Sequence, residues 1–261
     1  MVVILPDDGH RSASSAGPTT PARPRGEAGS MNTPVIEAHA LVKTYGVTHA
    51  LAGVDLAVHR GESVAIMGAS GSGKTTLLHV LAGITAPDSG RVVFQPSTGT
   101  AIDVTALGEA ARSRLRRERF GFVFQQGLLI PELTAVENVA LASMINGVAK
   151  KDALPHAASW LAALGLGGME ERRIGELSGG QAQRVAIARA QATGADLVFA
   201  DEPTGALDSH TSAEVMDALL WSTTGQGRTL IVVTHDADVA ARCTRTVAVR
   251  DGRILGSAVN A

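Results

Sequence analysis

The stretch "GASGSGKT", Gly68 to Thr75, fits the pattern G-x-x-x-x-G-K-[ST]. An apolar strand-like run precedes it and a helical run follows, the context in which such a loop works. Gly68, Gly71 and Gly73 allow the backbone N–H groups of the loop, including those of Ala69, Ser70 and Ser72, to turn inward as an anion nest. The mouth of the following helix adds partial positive charge. Lys74 brings a full charge to β- and γ-phosphates, the Thr75 hydroxyl is placed to ligate Mg²⁺, and Thr76 reaches the α-phosphate. These residue types spell a nucleoside-triphosphate site.

An acidic partner follows far downstream. In "LVFADE" an apolar run ends at Asp201 and Glu202. In a parallel α/β sheet ligands sit beyond the carboxyl ends of the strands, so Asp201 is expected near the same phosphates, holding Mg²⁺ through water. Glu202 is then free to orient and polarise the attacking water. A solvated Asp-Glu pair at a turn is the plain alternative, and the apolar run before it and Pro203 after it speak against that. "VVTHD" repeats the arrangement at His235, where a neutral imidazole serves either the γ-phosphate and the attacking water or only the local structure.

A second glycine pair poses a question. In "LSGGQ", Leu177 to Gln181, Ser178 is a good N-cap, Gly179 and Gly180 permit close approach of a ligand, and the helix "QAQRVAIARAQA" follows. This is another anion-receptive helix mouth, although the first loop already surrounds most of one triphosphate.

The elements that must position these groups are legible. "VIEAHALVKTY" and "HALAGVDLAV" read as half-buried strands, followed by "SVAIMG", a helix from Lys74 to about Ala82 and the strand "RVVF". Roughly 105–190 is helix-rich, with "ALGEAARSRLRRER", "AVENVALASMI", "DALPHAASWLAALGL" and the helix opening at Ser178. "DLVFAD" and "TLIVVTHD" are continuous apolar runs, as fully buried parallel strands are. "TRTVAVRDGRIL" closes as a hairpin on Asp251-Gly252. Residues 1–33, rich in Pro, Gly, Ser and Thr, are expected to be a disordered tail.

Composition narrows the class. A formal net charge of −2 argues against a general nucleic-acid binder. Cys243, the only cysteine, forms no internal disulfide and reads as a small buried hydrophobe. The five arginines of "RSRLRRER" read first as a solvated helix face. No window is apolar enough for a membrane span, and "MVVILPDD" lacks the basic start of a signal peptide. A cytoplasmic protein is expected, any membrane part being supplied by a partner.

"GASGSGKT", "LSGGQ" and "LVFADE" in this order resemble the ATP-binding-cassette (ABC) ATPases, over about residues 35–257. The resemblance implies an α/β P-loop NTPase fold: a RecA-like core, an N-terminal antiparallel β subdomain and a helical signature subdomain at about 105–190, together spanning 34–258. It implies ATP and Mg²⁺ as ligands and a nucleotide sandwiched between two copies of the chain. Ser178, Gly179, Gly180 and Gln181 then act in trans on the γ-phosphate held by the other copy. Gln125 in "FGFVFQQ" is similar to the Q-loop glutamine, which senses Mg²⁺ or water and contacts a transmembrane partner; Gln126 beside it is the rival register, and "GFVFQ" favours Gln125. Asp208 matches the D-loop residue and His235 the switch histidine. Tyr45 sits where the family stacks an aromatic ring on adenine, with a plain strand residue as the rival reading. The catalytic set is Glu202, His235, Gln125, Lys74 and Ser178, and the metal set Thr75, Gln125 and Asp201.

"FGFVFQQGLLIPELTAVENVAL" followed by "ADEPTGALDS" is similar to the lipoprotein-release (LolD-like) and macrolide-export (MacB-like) branch. This implies an FtsX-like permease at the inner face of the cell membrane and export of a hydrophobic, lipoprotein or drug-type cargo. An FtsE-like regulatory cassette controlling cell-envelope enzymes is the alternative. A soluble ABC ATPase of DNA repair or translation is disfavoured by the single cassette, the absence of a long heptad-bearing insert and the lack of basic balance.

Overall fold

The apolar runs that end at the candidate acidic and histidine residues become neighbouring strands at the centre of a sheet. The computed structural model describes residues 34–260; the expected tail at 1–33 lies outside the described residues. Pro34–Tyr45 (β1), Thr48–His59 (β2), Ser89–Phe94 (β4) and the short Ile102–Asp103 (β5) form an antiparallel sheet in the order β2-β1-β4-β5. The second sheet holds Ser63–Met67 (β3), Phe120–Phe124 (β6), Leu197–Asp201 (β7), Thr229–Thr234 (β8), Arg245–Arg250 (β9) and Arg253–Val259 (β10). Its order is β10-β9-β3-β8-β7-β6, parallel except for the β9–β10 hairpin at one edge.

The strand sequences explain why both faces of this sheet are covered. In β7, Leu197 and Phe199 point into one apolar cluster while Val198 and Ala200 point into the other. In β8, Ile231 and Val233 alternate with Leu230 and Val232 in the same way. A strand buried on both sides has no polar positions, hence the unbroken runs. The first cluster joins this face to the antiparallel sheet and to Lys74–Leu81 (α1). The second packs the opposite face beneath helices Ala135–Ile145 (α3), Lys150–Ala163 (α4), Gly179–Ala192 (α5), Ser209–Ser222 (α6) and Ala237–Ala241 (α7).

The chain's five phenylalanines form one contact chain where the two sheets meet. Phe94 meets Phe120 edge-on at 4.9 Å, Phe120 meets Phe199 at 5.2 Å, and Phe122 stacks on Phe199 and Phe124. In an aromatic-poor protein, this concentration ties β4 to β6 and β7, each pair adding about 1 kcal/mol beyond burial.

Glu109–Arg119 (α2) starts three residues later than "ALGEAARSRLRRER" suggests, because Gly108 adopts an extended N-cap geometry. The hairpin turns on Asp251 and Gly252, at φ 50° and 70°, the two-residue geometry in which both positions are left-handed. Strand β10 runs beyond the expected "RIL" because pairing continues to Val259 opposite Arg245. Cys243 is buried, its thiol pushed up to about 11 by desolvation.

The parallel order delivers the candidate residues side by side. Across β3, β8, β7 and β6, the carboxyl ends lead into Gly68, His235, Asp201 with Glu202, and Gln125. Met67 pairs with Thr234, Val233 with Asp201 and Asp201 with Phe124, so the exits are level.

Candidate functional site

The Gly68–Thr75 loop is fixed by close backbone contacts. Gly73 caps α1 at φ 103°, and a Cβ there would fall 2.2 Å from the Ala50 carbonyl oxygen, so only glycine fits. No side chain caps this helix. The amides of its first turn are therefore not taken up by a local side chain. The β9–β10 turn supports the loop from behind, Gly252 N–H donating to the Ser72 carbonyl at 3.0 Å. Lys74 is buried, and its Nζ donates to the Ala69 carbonyl at 2.9 Å. The buried Ser72 hydroxyl has no protein partner.

A cavity of about 670 Å³ opens over the loop. Ala69, Ser70, Gly71, Gly73, Lys74, Thr75 and Thr76 form its floor; Gln125, Glu202 and His235 face it, with Thr48 and Ala50 of β2 at the side. Gln126 does not line it. Gln125 lies against Gly205, where a Cβ would meet its amide nitrogen at 3.0 Å. Tyr45 is half exposed at the end of β1, paired with cavity-lining Thr48, and the Lys43 ammonium lies 5.5 Å from its ring centre.

Glu202 is left-handed, at φ 47°, although it carries a Cβ and precedes Pro203. That conformation costs about 1–2 kcal/mol in a non-glycine residue. It is held by Glu202 N–H donating to the Val233 carbonyl at 2.9 Å. The carboxylate meets His235 Nδ1 at 2.9 Å. A carboxylate accepts, so Nδ1 carries the proton and Nε2 is left for another partner.

Thr75 Oγ1 donates to Asp201 Oδ1 at 3.2 Å. Burial pushes the Asp201 carboxyl above its usual range, against the pull of the Thr75 hydroxyl and of nearby His79 and Lys74. Two oxygens this close suit adjacent corners of a Mg²⁺ octahedron, whose cis ligands stand about 3 Å apart at the usual bond lengths. Among the described residues there is no group of three or more His, Cys, Asp and Glu side chains able to hold a metal.

The residues at 178–181 lie elsewhere; none of them lines the cavity. Ser178 Oγ accepts from Gln181 N–H at 3.3 Å and Gln181 Oε1 accepts from Ser178 N–H at 2.9 Å, a closed capping box. Ser178 and Gly179 are exposed, whereas Gly180 is buried against α6. A Cβ at Gly180 would fall 2.4 Å from Thr211 Cγ2, so this glycine is required by packing within the chain. Asp208 caps α6, accepting from Thr211 N–H at 3.0 Å and its hydroxyl at 2.7 Å, bonds that hold its carboxyl below the usual range.

Several contacts around the site were not readable from motifs. The turn at Gly252 was visible as a dipeptide, but not its docking on Ser72. Nothing local announced that Gln183 and Arg189 of α5 would bond the backbone at the end of β6 and in the loop after it.

Residues 51–205 match the family described as ABC transporter. The chain is 46% identical, over 86% of its length, to the pyoverdine export ATP-binding/permease protein PvdT of Pseudomonas savastanoi pv. phaseolicola. It is 45% identical, over 87% of its length, to the macrolide export ATP-binding/permease protein MacB of Nitrosomonas europaea. It spans about a third of the length of these relatives, 34% in each case. Among solved structures it resembles a dimeric, post-hydrolysis ATP-binding cassette bound to ADP and phosphate, with TM-score 0.77 and 35% identity. That match covers 87% of this chain and 99% of the other.

Proposed function

The chain belongs to the ABC transporter family as an ATPase cassette, and from that premise we propose that two copies meet head to tail and hydrolyse ATP between them to drive a membrane permease. The observation that carries this reading is the separation of the parts. The cavity gathers Lys74, Thr75, Gln125, Glu202 and His235, while Ser178 and Gly179 present an exposed helix mouth elsewhere on the same chain. A second copy facing the cavity brings that mouth to the γ-phosphate.

In this reading the amides of Gly68–Thr76 cradle the phosphates and Lys74 neutralises the β- and γ-oxygens. Thr75, Asp201 and Gln125 would hold Mg²⁺, which when bound would supply charge stabilisation at the transferring phosphoryl group. Glu202 positions the attacking water and accepts its proton, and His235, anchored by Nδ1 to Glu202, turns Nε2 toward the γ-phosphate. Tyr45 stacks on the adenine and Asp208 crosses to the partner copy.

The permease is a separate chain or a further domain, as the printed names of the relatives join ATP-binding and permease functions. No helix among the described residues is long and apolar enough to cross a membrane. A groove of about 440 Å³ beside β6, walled by Phe122, Phe124, Leu141 and Ile145, offers an apolar seat for a permease segment. The branch resemblance favours an exported cargo at the inner face of the cell membrane.

The test is Glu202→Gln. Turnover falls about 10²–10⁴-fold, the range of a lost general base, while ATP is retained. Sedimentation then shows an ATP-dependent dimer. A variant that keeps full turnover removes Glu202 from the chemistry.

A further inference from the structure

We propose that Arg189 is a positioning residue for Gln125, a latch by which the helix that begins at Ser178 fixes the loop entering the nucleotide cavity of its own chain. The geometry lies on α5, the last residue of β6 and the loop that follows it. Arg189 Nη2 donates to the Gly127 carbonyl at 2.6 Å and Nη1 donates to the Leu128 carbonyl at 2.7 Å. Six residues earlier on the helix, buried Gln183 donates from Nε2 to the Phe124 carbonyl at 2.9 Å. The three bonded carbonyls bracket Gln125, which faces the cavity.

The loop is shaped for this contact. Gly127 and Leu128 are consecutive left-handed residues, at φ 66° and 47°, and a leucine adopts that geometry only where its surroundings hold it. Their carbonyls both meet the one guanidinium, whose planar fork matches paired acceptors. Arg189 is half-buried at the rim of the groove beside β6, desolvation lowers its ionisation, and among the described residues no carboxylate pairs with it. The backbone carbonyls are its counterparts. The far end of the loop is held separately, Asn138 of α3 bonding both N–H and C=O of Ile130.

One consequence follows for the order of events. When the Ser178 end of α5 engages nucleotide on the partner copy, the same rigid helix sets Gln125 in its own cavity. Engagement at one site is thus transmitted to the other. This rests on the nucleotide role proposed above for Gln125.

The experiment compares Arg189→Met, Arg189→Lys, Gln125→Ala and the double variant Arg189→Met/Gln125→Ala in the full chain. ATP affinity is read by calorimetry, and turnover is read against ATP and against Mg²⁺. Arg189→Met lowers kcat by up to about 10²-fold, the cost of a small misplacement at a reacting centre, with ATP affinity unchanged. It also raises the Mg²⁺ concentration needed for half-maximal turnover. The double variant is no slower than Gln125→Ala, because both act through one side chain. Arg189→Lys, which reaches one carbonyl instead of two, falls between. Should Arg189→Met fail to fold, Arg189→Lys paired with Gln125→Ala carries the same comparison. Normal kcat in the Arg189 variants beside a slow Gln125→Ala overturns the latch alone, as do losses that multiply in the double variant. Full turnover in Gln125→Ala overturns the role of Gln125 and the latch with it.

Discussion

At the start of α1 the N-cap is Gly73, left-handed and without a side chain, and the amides beyond it open into a cavity. At the start of α5 the N-cap is Ser178, whose hydroxyl and the Gln181 amide close on each other, and the surface beyond is open to solvent. Both mouths are glycine-rich and both carry the partial positive charge of a helix N-terminus. The first is complete in one chain, because walls from β2, β7 and β8 surround it. The second has a helix mouth and no walls. That difference teaches why a chain would carry two such motifs: one holds phosphate by itself, and the other is useful only against a surface supplied from outside.

The largest effect that sharpens this contrast is on single-copy binding. Lys74→Ala weakens ATP binding to an isolated copy about 10²-fold, as loss of a charge-assisted phosphate contact should. Ser178→Ala leaves that affinity unchanged by calorimetry and costs about 1 kcal/mol of stability in urea, the usual worth of an N-cap. If Ser178→Ala weakens binding to a single copy, the two mouths are not distinct and the contrast breaks.

A smaller effect concerns Asp201. Its folded carboxyl titrates above the usual range because it is buried. Such a group favours the fold below its unfolded pKa, and that contribution is lost as pH rises through the folded one. At neutral pH, Asp201→Asn therefore raises the Tm of the nucleotide-free protein slightly while abolishing the Mg²⁺ dependence of ATP binding. A lower Tm in the variant would show that the charge, not its burial, matters to the fold.

The sheet core was legible because parallel strands buried on both faces leave an unmistakable apolar run: β7 ends at Asp201, β8 just before His235 and β3 just before the Gly68 loop. The Asp251-Gly252 hairpin and the Ser178 cap were legible because both are local chemistry. Side-chain neighbours distant in sequence were not. Gln125 and Gln126 are neighbours of the same type; "GFVFQ" favoured the first, and β6, ending at Phe124 level with Asp201, puts it in the cavity. Gly180 reads as room for a ligand, yet Thr211 of α6 already occupies the space beside it. Arg189 reads as one more helix residue until the carbonyls of Gly127 and Leu128 are seen at its tip.

Mixing two inactive variants tests the head-to-tail account most directly. Ser178→Arg keeps the cavity and loses the helix mouth; Glu202→Gln keeps the mouth and loses the water-activating carboxylate. If the site is shared, equal mixing restores roughly a quarter of native turnover, since half of randomly formed pairs are mixed and each holds one intact site. If turnover stays at the level of the separate variants, each chain works alone and the account is contradicted.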